Sequence, residues 1–257
     1  MKRVVFFISC CLMVAACAPA VSNTSLSYGN MAELERRAEL RMQLASAYYG
    51  EGQYATALSE LDQALQTGER RADVLGLRGL VLMQLGNSEG ASKNLQQALQ
   101  IEPDNPDLLN NFGWLLCETG QTERSLPFFE RAMATKTYQS LAKALMNAGL
   151  CSMKLGQRVS SENYFRRALQ IDPEQIGAHA SLAKLSYDSG DFKTAKRHLG
   201  QVITNARAKP EDFLLAMTVE RQLGDKLAEE IIALQWRKRF PDAALSGISS
   251  RGSVDER

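Results

Sequence analysis

The chain has 257 residues, 45% of them hydrophobic and 23% charged, with a formal net charge of +1 and five cysteines. That length holds a sizeable core or two small domains, and the ordinary apolar and charged fractions exclude wholesale disorder. A charge near zero leaves no basic footprint for nucleic acid; seven prolines and 7% aromatic residues argue against an all-β sandwich.

The N-terminus reads as an address. Lys2 and Arg3 precede a nearly continuous apolar run from Val4 to Ala16, broken only by Ser9. The run is too short for a permanent membrane helix, which needs about 20 residues, and fits an export signal over residues 1–16. Its end, Val14-Ala15-Ala16-Cys17, resembles a bacterial lipobox, in which the chain is cut before the cysteine and the cysteine is acylated, with palmitate among the chains. The open alternative is an ordinary export signal cut at a later alanine, with Cys17 discarded. Several acyl chains on Cys17 would hold the protein on a membrane. Ala18, rather than an aspartate, follows the cysteine, which under the enterobacterial sorting rule implies the outer membrane, facing the periplasm. Cys10 and Cys11 lie inside the apolar run and leave with the signal. Residues 17–29 are rich in Ser, Asn, Ala and Gly and read as a flexible tether; about 20 residues to the first packed helix give a root-mean-square reach of roughly 25 Å. Asn30 with Glu33 reads as the N-cap and capping-box carboxylate of the first packed helix.

A repeat organises the rest. Gly52, Gly86, Gly120, Gly156, Gly190 and Gly224 are spaced 34, 34, 36, 34 and 34 residues apart, the tetratricopeptide period. Seven residues before each glycine stand Ala45, Gly79, Gly113, Gly149 and Ala183, with Met217 the exception. Twelve after come Ala64, Ala98, Ala132, Ala168, Val202 and Trp236, and Pro103, Pro173 and Pro241 take the stop position. Small residues let helices approach closely, the glycine supplies a left-handed helix end, and proline stops the second helix. No hairpin buries its apolar face alone, so the pattern predicts an all-α, superhelical solenoid of about six helix-turn-helix repeats over 30–245. The repeats fall at about 38–71, 72–105, 106–139, 142–175, 176–209 and 210–243, with a disordered tail over 246–257. The two extra residues near 137–141 lengthen one turn. Pro127 falls within a second helix, where it costs about 3 kcal/mol unless that helix starts late or kinks. Repeat six loses its small residues and suits a terminal cap, or a specialised binding end.

No catalytic or metal constellation stands out, and no cofactor is expected. His179 is expected to pack and His198, beside Lys196 and Arg197, to be solvated. Cys117 and Cys151 occupy non-equivalent positions of adjacent repeats; a disulfide is conceivable, but two buried thiols are the favoured reading. Positions 2, 5, 9 and 12 of each first helix share one face and line the groove of this architecture. They carry Met42 and Tyr49, Leu80 and Met83, Asn110 and Trp114, Met146, Leu150 and Met153, then Tyr187. Methionine is an adaptable contact and Trp and Tyr are frequent hot spots, so the groove is expected to take an apolar strand or amphipathic helix of a protein partner.

The lipobox, the tether, the six repeats, the segment Asn110-Asn111-Phe112-Gly113, the longer turn after repeat three and the closing stretch Leu234 to Pro241 together resemble the type IV pilus biogenesis and stability lipoproteins (PilF/PilW). The resemblance implies an outer-membrane lipoprotein, acylated at Cys17; with no catalytic constellation in the sequence, the chain is expected to be non-enzymatic, and it is expected to be a monomer. It would act as a pilotin that binds pilus secretin subunits and promotes their outer-membrane localisation and multimerisation. Adaptors of other envelope machines, such as a tight-adherence pilus or the barrel assembly complex, and scaffolds for peptidoglycan hydrolases remain alternatives.

Overall fold

The computed structural model describes residues 24–66 and 71–242. The signal sequence, Cys17 and the tail from Ser246 lie outside the described residues. Among the described residues twelve helices follow in order: α1 (Thr24–Gly50), α2 (Tyr54–Leu65), α3 (Ala72–Gln84), α4 (Ser88–Ile101), α5 (Pro106–Glu118), α6 (Thr122–Ala134), α7 (Leu141–Lys154), α8 (Arg158–Ile171), α9 (Ile176–Asp188), α10 (Phe192–Ile203), α11 (Pro210–Leu223) and α12 (Lys226–Arg239). The odd-numbered helices are the first, or A, helices of six hairpins, and the even-numbered ones the B helices.

Each hairpin turns on the glycine that sets the period. All six have φ between 69° and 80°, the left-handed conformation that closes a helix without a Cβ penalty. Side-chain caps start several helices. Asn87 accepts from the Gly90 amide, Asn105 from Asp107 and Leu108, Asp191 from Thr194 and Asp225 from Ala228. Pro106 and Pro210 occupy first helical positions, where the missing N–H costs nothing.

The small residues seven before each glycine set the A–B approach. A Cβ on Gly79 would lie 2.6 Å from Leu95 Cγ, one on Gly113 3.0 Å from Phe129 Cε1, and one on Gly149 2.5 Å from Phe165 Cε1. Leu95, Phe129 and Phe165 are fully buried, so each glycine is the slot into which its B helix inserts one large side chain. Between hairpins, each A helix also touches the next A helix, whereas no B helix makes comparable contact with the next B helix. The A layer is therefore the inner, concave one and the B layer the outer.

Three local expectations change. The first helix runs unbroken from Thr24, through Asn30 and into the segment read as tether. Helix propagation adds one bond per residue once a turn exists, and an exposed Glu33–Arg37 pair at 3.1 Å braces the overhanging part. The α6–α7 turn has six residues, Thr135 to Ser140, but so do the α2–α3 and α10–α11 turns. What distinguishes it is Tyr138, buried against Leu109, Ala132 and Ala144. Pro127 neither delays nor divides α6, which starts at Thr122 and spans 13 residues. Pro127 sits on the exposed outer side of the helix, where water can satisfy the carbonyl left without a donor.

Candidate functional site

The inner face of the A layer carries most of the side chains expected to line a groove. Met42, Tyr49, Leu80, Met83, Trp114, Leu150, Met153 and Tyr187 are each half-buried, one side packed on the stack and the other open. Trp114 is the central aromatic. Lys154 from α7 lies over its ring at 5.7 Å and pairs with Glu118 at 2.7 Å, so a cation–π contact and an ion pair rim the indole. Burial is the main influence on the Tyr49 phenol and pushes its pKa up, keeping it neutral and able to donate.

Asn110 and Met146 depart from that expectation, because both are buried. The Asn110 side-chain carbonyl accepts from Asn147 Nδ2 at 3.0 Å, joining α5 to α7. The Met146 methyl lies 3.0 Å from where a Cβ on Gly177 would stand. Each belongs to the stacking contact between neighbouring A helices.

The groove reaches further than the sequence reading placed it. A cavity of ≈ 460 Å³ lies between α9 and α11, lined by Ala180, Lys184 and Tyr187 on one side and by Glu211, Leu214 and Thr218 on the other. The three α11 residues occupy positions 2, 5 and 9 counted from Gly224. They were missed because repeat six lacks the small residues that mark the others; the same i, i+3, i+7 count would have found them. Leu214 is 46% exposed at the rim, and Lys184 is paired with Asp188 at 2.7 Å. At the opposite end, Arg71 pairs with Glu39 at 2.6 Å and Asp73 at 2.5 Å. The hydrogen bond from Arg71 holds the Glu39 carboxyl below its ordinary range. Ion pairs thus stand at both ends of the groove and beside Trp114 in its middle.

Cys117 and Cys151 are joined in a disulfide, with Cα atoms 5.9 Å apart, which corrects the expectation of two free thiols. The reason is a stacking rule. The residue three before one turn glycine shares a core cluster with the residue five before the next in Tyr49 with Val81, Met83 with Leu115, Met153 with Leu185 and Tyr187 with Val219. Cys117 and Cys151 take those two positions at the third junction. Non-equivalent numbering therefore marked contact, not separation. The histidines need a second correction. His198 is half-buried, its Nδ1 2.9 Å from Nδ1 of His179, whose Nε2 lies 3.0 Å from the Pro173 carbonyl. Burial, then His179, Arg197 and Arg166, lowers the His198 pKa to about 4. Among the described residues, no group of three or more His, Cys, Asp or Glu side chains could hold a metal ion.

Comparison with known proteins gives this geometry a context. Family models described as TPR repeat or tetratricopeptide repeat match residues 79–120, 107–138 and 142–175. No curated protein sequence matches. Among solved structures, the chain is similar to PilW, described as a widely conserved type IV pilus biogenesis factor. That match has a TM-score of 0.72 and 27% identity and covers 80% of this chain and 94% of that one. It is similar in fold to Pseudomonas aeruginosa PilF, with TM-score 0.74, 20% identity and coverage of 82% and 95%. It is also similar in fold to YrrB, described as a TPR protein with an unusual peptide-binding site, with TM-score 0.53, 19% identity and coverage of 77% and 97%. The fold is an all-α tetratricopeptide-repeat solenoid.

Proposed function

We propose that this chain is a non-enzymatic adaptor of type IV pilus biogenesis. In this reading it is an outer-membrane lipoprotein, anchored through acyl chains on Cys17 and facing the periplasm. It is a pilotin that binds secretin subunits and promotes their localisation and multimerisation. The observation that carries the reading is the half-buried row Leu80, Met83, Trp114, Leu150 and Met153 on the inner face, set in a fold similar to PilW over 80% of the chain. A row of large apolar side chains with one face free suits an apolar segment of a partner that would otherwise aggregate before reaching the membrane. The Trp114 indole, rimmed by Lys154 and Glu118, is the expected anchor, because desolvated aromatics surrounded by polar contacts dominate such interfaces. The proposed anchor also fits the geometry. Residues 18–23 separate Cys17 from α1 and can place the start of that helix no further than roughly 25 Å from the membrane.

Deletion of the gene, followed by measurement of heat-stable secretin multimers in outer-membrane fractions, tests the role. Loss of multimers or of their localisation is expected, and normal multimers at the normal place reject it. Changing Leu80, Trp114 and Leu150 together to serine should abolish secretin binding while the helical circular dichroism is retained. Unchanged binding would remove the groove from the proposal.

A further inference from the structure

The last helix is patterned in reverse. In every repeat the sites three, seven and ten after the turn glycine lie on the exposed outer side of the B helix. In α2, α4, α6, α8 and α10 they are polar or small, as in Glu89, Lys93 and Gln96 of α4, with Val159 the one large aliphatic among them. In α12 all three are large and aliphatic: Leu227, Ile231 and Leu234, exposed at 68%, 47% and 63%. None of them belongs to a core cluster; the inward side of α12 is filled by Ile232 and Trp236 instead.

One site that is apolar wherever another hairpin follows is charged in α12. Thirteen after the glycine, Leu65, Leu99, Met133, Leu169 and Ile203 each pack into the core clusters. α12 has Arg237 there. Arg237 sets α12 apart from the B helices that have a successor, and the apolar stripe lies on a side that the described hairpins do not use for stacking.

Leu227, Ile231 and Leu234 are spaced four and then three residues apart, and Lys238 continues the spacing. This is the two-position seam of a coiled coil. Glu230 and Arg237 flank the seam on one side, both exposed, and neither takes part in an ion pair with another described residue. In an antiparallel pairing of two such helices, Ile231 meets Leu234 of the other copy and Leu227 meets the aliphatic stem of Lys238. Glu230 then faces Arg237 across the seam, twice. Parallel pairing would place Glu230 against Gln235, and would put the position facing Arg237 beyond the end of α12 at Arg239. The charge order, acidic then basic along one flank, is complementary to itself only when reversed, which is the requirement of a two-fold interface.

We propose that α12 is a self-complementary docking helix, pairing antiparallel with α12 of a second copy of this chain. The stripe is small against the ~800 Å² per partner of a standard interface, so the dimer is weak and concentration-dependent, unlike the monomer the sequence suggested.

Sedimentation velocity of the full chain, kept soluble in mild detergent over a wide concentration range, tests this. A reversible dimer is expected, and Ile231→Asp should abolish it; the site is exposed, and unchanged circular dichroism confirms that the fold survives. Glu230→Arg or Arg237→Glu alone should weaken dimerisation about tenfold, and the double swap should return it to within about twofold of the parent. A chain that stays monomeric at every concentration overturns the proposal, whether residues 243–257 cover the stripe or a different protein is its partner. So does a dimer that ignores Ile231→Asp, or one that the double swap does not restore.

Discussion

The same substitution, glycine to alanine, should have opposite signs at two helical sites. Gly149 in α7 faces the ring of Phe165, which is fully buried. A Cβ there would stand 2.5 Å from Phe165 Cε1, 2.7 Å from Cδ1 and 2.9 Å from Cζ. A buried ring has no free rotamer to retreat into, so α7 and α8 must separate. Overpacking of this kind costs about 1–3 kcal/mol, against a gain of about 0.5–1 kcal/mol from replacing a helical glycine. Three ring atoms inside 3 Å put the cost in the upper part of that range, about 2–3 kcal/mol, so the net loss is about 1–2.5 kcal/mol, or about 2–10 °C in melting temperature for a chain of this size. Gly200 in α10 has nothing within 4 Å of its would-be Cβ, so only the propensity gain remains and stability rises by about 0.5–1 kcal/mol. Thermal melts and urea curves of Gly149→Ala, Gly200→Ala and the parent chain measure both. A Gly149→Ala chain as stable as the parent would show that the A–B spacing is not set by these slots, and a destabilised Gly200→Ala would undo the propensity half of the reasoning.

Other expectations follow from single contacts. Replacing Cys117 and Cys151 together by alanine opens a loop with a sequence separation of 34 and should cost about 3–4 kcal/mol. Reductant should move the parent's urea midpoint to that of the variant, and thiol titration of the native, unreduced chain should find neither cysteine. The lowered pKa of His198, about 4 against 6.5, means that the unfolded chain takes up a proton in this window while the folded chain does not. Stability is then complete above about pH 6.5 and falls as the pH drops from there towards 4. His198→Gln should flatten that slope, and an imidazole NMR titration of the parent should find one midpoint near 4. Lys196→Met leaves Glu220, which is 5% exposed, without its 2.8 Å ammonium partner. It should lower stability by about 1–3 kcal/mol, read as a shift in urea midpoint.

The period was legible because one residue type answers one backbone need. Each turn requires a positive φ, glycine meets it without strain, and the six glycines therefore mark all six hairpins. Small residues seven before them were legible for the same reason, since a specific ring or leucine occupies the vacated space. What the spacing hid was contact between repeats. Cys117 and Cys151 looked mismatched because equivalence was counted within repeats, whereas stacking pairs position minus three with the next minus five. His179 and His198 carry no motif, and only the A–B packing of repeat five brings them together. Asn110 shares a face of α5 with Trp114, and Met146 a face of α7 with Leu150, yet a helical face does not say which of its members the neighbouring helix covers. The α11 side of the α9–α11 cavity escaped because repeat six was judged by the small-residue signature and not by groove position.

The bond between Cys117 and Cys151 also divides the solenoid mechanically. A stack held by neighbour contacts behaves as a spring, each junction yielding in turn when its ends are drawn apart. The covalent link at the third junction withholds the chain between the two cysteines, which are 34 positions apart, from any such extension. That is roughly 110 Å of contour length. Under load applied through the two ends of the stack, the hairpins on either side would give way first, and the centre of the groove, beside Trp114, would keep its shape longest.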